Sequence, residues 1–313
     1  MSYYIGIDGG GTKTQYALFD EHKNMLSTVK TAGSNHENLE GGVTQAADII
    51  MEGINSLLME NVLMPNSISC ILMALAGIDH PYQEAAMREA LTSRGLHVPF
   101  RIYNDGFIVV KAGITGKAGI GYNCGTGTCC NSVGSDGRLL QIGGFGQLSG
   151  DVGGGLWIAA EAYRLAYDEI CLGLQPTACT KLICEKFGIA PERDALLSLI
   201  PRYEAEDKEY IHDMIDVFFD ALAAGDARTA EVAERMADRG AQFIAGHIHR
   251  QRFDDEVIEV VLSGSMHTKL VPDSYIDMLQ KKTEAYGGRK CKFIKLTVPP
   301  VTGCINWLLE DGE

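Results

Sequence analysis

The chain is predicted to adopt an α/β architecture with two related lobes facing one cleft. Strand-like apolar runs alternate with helically spaced ones through the first third, a β-turn-β element with glycines at its turn occurs twice, and the stretch from about residue 156 onward is largely helical. In such folds, ligands sit at loops beyond strand ends.

The elements follow in order. Apolar SYYIGID reads as a strand, then come Gly9, Gly10 and Gly11, the β-type stretch TQYALFD, a polar turn at Glu21 to Asn24, and the strand MLSTVKT. Beyond the loop Gly33 to Asn38, apolar positions at helical spacing predict a helix from about Gly41 to Glu60, and SISCILMALAGI is a run of the buried-strand type. A helix around Tyr82 to Arg94 leads to the short strand PFRIYND and the apolar helix GFIVVKAG. The segment GIGYNCGTGTCCNSV repeats the glycine turn between two β-type runs, and Ser135 to Arg138 makes a polar turn before LLQIGGFG. Helices are expected over Trp157 to Tyr167, Cys179 to Phe187, Tyr210 to Ala224 and Thr229 to Arg250, with strands VIEVVLSGS and KCKFIKLTV and a closing helix over Val301 to Leu309. The stretches near Pro191, Pro201 and Glu204 to Lys208 read as connectors. The expected organisation is a first lobe over 1–114, joined by the C-terminal helix 301–313, and a larger second lobe over 115–300 with helical insertions.

The 313 residues suffice for two cores, and 46% hydrophobic with 22% charged residues excludes disordered, collagen-like and repeat-array classes. A formal net charge of −14 argues against nucleic-acid and anionic-membrane partners. The start MSYYIGIDGG lacks the basic flank of a signal peptide, and no run approaches the roughly 18 apolar residues of a membrane span, so a cytoplasmic location is expected. Nine cysteines without CxxC pairs fit reduced thiols better than a disulfide framework or a zinc site.

Ile5-Gly6-Ile7-Asp8-Gly9-Gly10-Gly11-Thr12-Lys13-Thr14 carries the most chemistry. Consecutive glycines let main-chain N–H groups approach phosphate oxygens, while Thr12 adds a hydroxyl and Lys13 a cation. A P-loop would need Gly-Lys-Ser/Thr opening a helix; here Thr12 separates Gly11 from Lys13, and TQYALFD reads as strand, which also excludes a dinucleotide fingerprint. Asp8, ending an apolar strand, is placed to face a hydrated Mg²⁺. Gly125-Thr126-Gly127-Thr128 offers a second set of amides and hydroxyls, so that two hairpins can clamp a polyphosphate. Asp105 is open to two roles that can coexist: helix N-cap, or acceptor of a substrate hydroxyl proton during attack on a γ-phosphoryl group. Asp151 can cap the following helix or bind ligand hydroxyls. Ser34-Asn35-His36-Glu37 is either turn chemistry or a sugar-recognition loop, and Ser263-Gly264-Ser265-Met266 either a strand-to-helix turn or a close approach for an adenosine.

Together IGIDGGGTKT, GSNH, ALAGID, NDG, NCGTGT, GGFGQLSGDVGGGLWIA and LSGS resemble, in order and spacing over nearly the whole chain, the N-acetylglucosamine kinases and the wider BadF-type ATPase family. The resemblance implies two ribonuclease-H-like lobes of the actin/hexokinase/Hsp70 type closing on Mg-ATP and an amino sugar, with phosphorylation at the sugar's 6-hydroxyl. It implies that Gly10, Gly11, Thr12 and Lys13 form the first phosphate loop and Gly125, Thr126, Gly127 and Thr128 the second, with Thr126 also near the sugar. Asp105 matches the catalytic base, Asn35 and Asp151 with the neighbouring His36 the acceptor ligands, Gly264 and Ser265 the adenosine turn, and Asp8 the acid near magnesium. Val152 stands where similar kinases carry an acid and Glu37 where an aromatic is common, which leaves N-acetylmuramic acid, glucosamine or another hexose open as the acceptor beside N-acetylglucosamine. A homodimer is the expected assembly. Two rival readings are an ATP-driven activator of a radical dehydratase or reductase, which would use cysteines for an iron–sulfur cluster, and a non-catalytic nucleotide- or sugar-binding regulator.

Overall fold

The computed structural model describes residues 2–310. In chain order the elements are β1 (Tyr3–Gly9), β2 (Lys13–Asp20), β3 (Met25–Ala32), α1 (Gly42–Glu60), β4 (Ile68–Leu75), α2 (Pro81–Ser93), β5 (Phe100–Tyr103), α3 (Gly106–Gly113), β6 (Gly119–Cys124), β7 (Thr128–Val133) and β8 (Leu139–Ile142). There follow α4 (Gly155–Leu172), α5 (Ala178–Phe187), α6 (Arg193–Leu197), α7 (Ile200–Glu204), α8 (Lys208–Ala223), α9 (Ala227–Arg250), β9 (Val257–Ser263), α10 (Asp273–Gly287), β10 (Lys290–Lys295) and α11 (Thr302–Leu308). Of the closing segment expected over 301–313, residues 311–313 lie outside the described residues.

Two five-stranded sheets repeat one plan. The first runs β3-β2-β1-β4-β5 and the second, from its other edge, β8-β7-β6-β9-β10; each is third, second, first, fourth, fifth counted from its own first strand. In the first sheet β1 is antiparallel to β2 but parallel to β4, which is parallel to β5, so β1, β4 and β5 deliver their carboxyl ends to one edge.

The chain divides into two compact units, one of Met1–Gly121, Asn131–Leu139 and Leu296–Glu313, the other of Tyr122–Cys130 and Leu140–Lys295. Within the first, the period of two along β1 decides which side chain goes where. Ile5 and Ile7 are buried with Tyr16, Ile71 and Met73 against Ile50 and Leu57 of α1 and Leu91 of α2. The opposite face packs Phe19, Leu72 and Ala74 against Ile108 of α3 and Cys304, Ile305 and Leu308 of α11. Asp8 therefore belongs to the α11 face, and its charge bears on the Cys304 thiol, which burial pushes above its ordinary range.

The second unit is mainly helical. Two short helices, α6 and α7, replace the connectors expected near Pro191 and Pro201. Pro201 occupies the first turn of α7, where a missing N–H costs nothing, so a residue read as a breaker starts a helix instead. Asp207 accepts from the N–H groups of Glu209 and Tyr210 at 3.0 and 3.2 Å, which starts α8 at Lys208 rather than Tyr210. Among the described residues no helix is long and apolar enough to cross a membrane.

A buried charge pair fastens α11 to α3. Lys111 Nζ, 3% exposed, donates to both carboxylate oxygens of Glu310 at 2.7 and 2.8 Å and to the Lys117 carbonyl at 2.6 Å, and lies 5.6 Å from the Trp307 ring centroid. Removing one partner leaves the other charge desolvated, so Glu310→Gln is expected to lower unfolding stability by about 3 kcal/mol in a urea titration. The double change Lys111→Met with Glu310→Leu is expected to regain most of that loss.

Candidate functional site

In the first unit Gly9 faces Thr14 across the β1–β2 hairpin, and the Gly10 N–H closes the turn on the Lys13 carbonyl at 3.0 Å. The Gly10 carbonyl turns away from the hairpin and accepts from the N–H groups of Ser34 and Asn35 at 3.1 and 3.3 Å. Below it, the buried Thr14 hydroxyl donates to Ser34 Oγ at 2.9 Å. Gly33 has to be glycine, because a Cβ there would stand 2.2 Å from the Gly11 carbonyl oxygen. These contacts seat the 33–36 loop on the glycine turn and leave Gly11, Thr12 and Lys13 exposed.

Within that loop Asn35 Oδ1 accepts from the Glu37 N–H at 3.0 Å and caps a short 3₁₀ turn, His36–Asn38. The turn-chemistry reading therefore accounts for the oxygen and leaves the NH₂ for other work. His36 Nδ1 is buried with no hydrogen-bond partner among the described residues. Glu37 accepts from Gln83 Nε2 at 3.2 Å, and Gln83 Oε1 accepts from the N–H groups of Asp79 and His80 at 2.9 and 2.8 Å.

Three carboxylates mark the ends of the three parallel strands: Asp8 within β1, Asp79 after β4 and Asp105 after β5. Asp105 occupies the N-cap position of α3 but makes no capping bond with its side chain. The preceding residue does that work: Asn104 Oδ1 accepts from the Gly106 N–H at 2.9 Å, and its Nδ2 donates to Asp79 Oδ1 at 3.0 Å. The expected side-chain cap is corrected accordingly, and the half-buried Asp105 carboxyl is left to other chemistry. Desolvation, then the charges of Asp8 and Asp79, push its pKa up to about 7. Burial raises Asp8 to about 6, with Lys13 pulling it back.

Such under-neutralised acids suit a cation. Among the described residues no three His, Cys, Asp or Glu side chains are grouped to ligate one metal. Mg²⁺ keeps most of its waters and takes one or two carboxylates, a demand that the half-buried Asp8 carboxyl can meet.

In the second unit the Gly125 N–H donates to the Gly127 carbonyl at 2.9 Å, and the Gly125 carbonyl accepts from the Gly155 N–H at the start of α4 at 2.8 Å. Thr126 and Gly127 are exposed. Thr128 is buried, and its hydroxyl donates to the Val152 carbonyl at 2.9 Å; the hydroxyl expected to serve phosphate is already engaged. Asp151 does not cap α4, whose N-cap is Gly154. Its Oδ2 accepts from the N–H groups of Gly144 and Gly146 at 2.9 and 2.8 Å and its Oδ1 from the Ser149 hydroxyl at 2.7 Å. A carboxylate offers about four acceptor positions, so roughly one remains for a ligand.

Gly264 has φ +81°, and a Cβ there would meet the Cys124 carbonyl oxygen at 2.1 Å. The close approach expected for a nucleoside is made by the chain itself, between β9 and β6, and the strand-to-helix turn explains this glycine. Ser263 donates to Asn123 Oδ1 at 2.9 Å alongside it, and Ser265 is exposed. Among the described residues none of the nine cysteines is in a disulfide, and Cys124, Cys130, Cys179, Cys291 and Cys304 are buried.

Sequence reasoning missed Asp79 and Asn104. The signal was present in Asn104 standing directly before Asp105, since asparagine is itself a strong helix-capping residue. Nothing near Asp151 in the sequence points to Arg239 of α9, which donates to the carbonyls of Ser149 and Gly150 just before it.

The profile of the BadF/BadG/BcrA/BcrD ATPase family matches residues 5–290. Over 168 residues the chain is 30% identical to an N-acetylmuramic acid/N-acetylglucosamine kinase of Clostridium acetobutylicum, covering 53% of this chain and 54% of that one. Over 205 residues it is 27% identical to an N-acetyl-D-glucosamine kinase of Dictyostelium discoideum, covering 62% and 63%. The matched regions thus span only a little over half to under two thirds of those relatives. A crystal structure assigned as a candidate N-acetylglucosamine kinase of Chromobacterium violaceum superposes with TM-score 0.69 at 18% identity, over 97% of this chain and 98% of the other. The fold is that of the actin/hexokinase/Hsp70 class, to which sugar kinases belong.

Asp8 gives a stability signature. Its folded pKa of about 6 exceeds the ordinary 3.8, so the folded state holds a proton that the unfolded chain has released between those values. Its stabilising effect is complete below about 3.8 and lost as the pH rises through 6. Without metal, Asp8→Asn is expected to raise Tm at pH 8, the gain shrinking toward pH 4; an equal gain at both would mean that the carboxylate is fully hydrated.

Proposed function

The chain belongs to the BadF/BadG/BcrA/BcrD ATPase family, and from that premise we propose that it is an ATP-dependent kinase transferring the γ-phosphoryl group to the 6-hydroxyl of an amino sugar. N-acetylglucosamine is the first acceptor and N-acetylmuramic acid the second. The names of the Clostridium acetobutylicum and Dictyostelium discoideum relatives support the acceptor class. One observation carries the reading: the Asp105 carboxyl is excused from helix capping and held at a pKa of about 7. A general base works best with a pKa near the operating pH.

In this reading the sugar hydroxyl gives its proton to Asp105 as its oxygen attacks phosphorus. Main-chain amides of Gly11 and Thr12 and of Thr126 and Gly127 hold phosphate oxygens, those of Gly10 and Gly125 closing their own turns, and the Lys13 ammonium offsets the phosphate charge. Mg²⁺, when bound, neutralises phosphate charge, with Asp8 holding it through water. The Asn35 NH₂, His36, Thr126 and the remaining acceptor position of Asp151 recognise the sugar, and Gly264 with Ser265 form the turn beside the adenosine. Glu37 and Val152 depart from the kinase pattern in the acceptor motifs, so they bear on which sugar is taken before they bear on phosphate.

An ADP-release screen over N-acetylglucosamine, N-acetylmuramic acid, glucosamine, glucose and N-acetylmannosamine tests the reading; ADP release indifferent to every sugar would overturn it. Asp105→Asn is expected to leave ATP affinity near wild type and to cut turnover roughly a hundredfold or more. The base must be ionised to act, so wild-type kcat/KM for sugar is expected to fall as the pH drops below about 7, and Asp105→Asn to lose that limb.

A further inference from the structure

We propose that Arg239 is the positioning residue of the Gly143–Asp151 loop, anchoring it to α9 so that Asp151 meets the acceptor in a fixed place. The proposal rests on the reading of Asp151 as a sugar ligand.

The loop has little intrinsic reason to hold one shape. Gly143, Gly144, Gly146 and Gly150 all have φ between +63° and +88°, and such glycines lose the most backbone entropy on ordering. Apolar burial does not fix the tip either, since Leu148 is 97% and Phe145 49% exposed. Internal polar bonds make it a closed ring. Besides the groups Asp151 gathers, the Phe145 N–H donates to Ser149 Oγ at 3.0 Å, the Gly150 N–H to the Gln147 carbonyl and the Asp151 N–H to the Gly146 carbonyl, both at 3.1 Å. Those bonds set the ring's shape but not its orientation.

Orientation comes from one face of α9. Arg239 Nε donates to the Gly150 carbonyl at 3.1 Å and Nη2 to the Ser149 carbonyl, so the guanidinium fork takes two consecutive carbonyls immediately before Asp151. Nη1 donates to Gln242 Oε1 at 2.9 Å, and the guanidinium lies 4.6 Å from the Phe243 ring centroid. Phe243, one turn on, supports the other end of the ring: a Cβ on Gly143 would be 3.3 Å from it. A Cβ on Gly150 would stand 2.9 Å from Arg239 Nη2, so the loop residue is cut to fit the guanidinium. A lysine ammonium is a single point donor and cannot reproduce the fork.

The test pairs steady-state kinetics with hydrogen–deuterium exchange on Arg239→Met and Arg239→Lys. Arg239→Met is expected to raise the KM for sugar about tenfold or more while kcat and the KM for ATP stay within about threefold, with Arg239→Lys in between. Peptides covering 143–151 are expected to exchange faster in Arg239→Met, and those of α9 at the wild-type rate. An unchanged sugar KM, or both KM values rising as kcat falls, overturns the positioning role. A wild type that releases no ADP with any sugar sinks the kinase reading instead. Exchange then still decides on the anchor: faster loop exchange in Arg239→Met upholds it, and unchanged exchange overturns it.

Discussion

The first unit is organised around carboxylates held where water does not fully reach them. Parallel pairing of β1, β4 and β5 brings Asp8, Asp79 and Asp105 to the carboxyl ends of neighbouring strands, and burial, then the charges of Asp8 and Asp79, raise the proton affinity of Asp105. A helix must also begin directly after Asp105, and its first N–H groups call for an acceptor. Asn104 answers with a neutral side chain that accepts from Gly106 and donates to Asp79. The helix is capped, one acid is hydrogen-bonded, and the other stays available.

The second unit meets the corresponding problem with backbone rather than charge. Its glycine turn is closed by its own carbonyl and fastened to the start of α4, while Thr128 and Asp151 satisfy the main chain around it. Residues that look like ligands in the sequence are here partly structural, and the two uses compete for the same lone pairs. Asp151 shows the balance: three donors of the loop occupy it, and about one acceptor position is left.

The sequence made some of this legible for physical reasons. Consecutive glycines between two β-type runs can only be a turn, and the repeat of that pattern at GIGYNCGTGTCC anticipates two sheets of identical strand order. The alternation of Ile5, Gly6, Ile7 and Asp8 places Asp8 opposite the α1 core. What stayed hidden depends on which of two adjacent residues wins a role or on partners far along the chain. Asn104 and Asp105 are both good caps, and only the fold decides between them. Pro201 reads as a stop until its position in the first turn is known. Arg239 reaches back some ninety residues to Ser149, and local pattern carries no trace of such a contact.

The packing of α11 also bears on the order in which the molecule can be made. One face of the first sheet is closed by Val301, Cys304, Ile305 and Leu308 and fastened through Glu310, the last described residue. During translation the strand that carries Asp8 emerges well before these residues, and its apolar neighbours on that face stay uncovered until the latter leave the ribosome. Most of the second unit, Leu140–Lys295, is by then already synthesised. Domains tend to fold as they emerge, and here the first unit has to wait for α11 before its second face is covered.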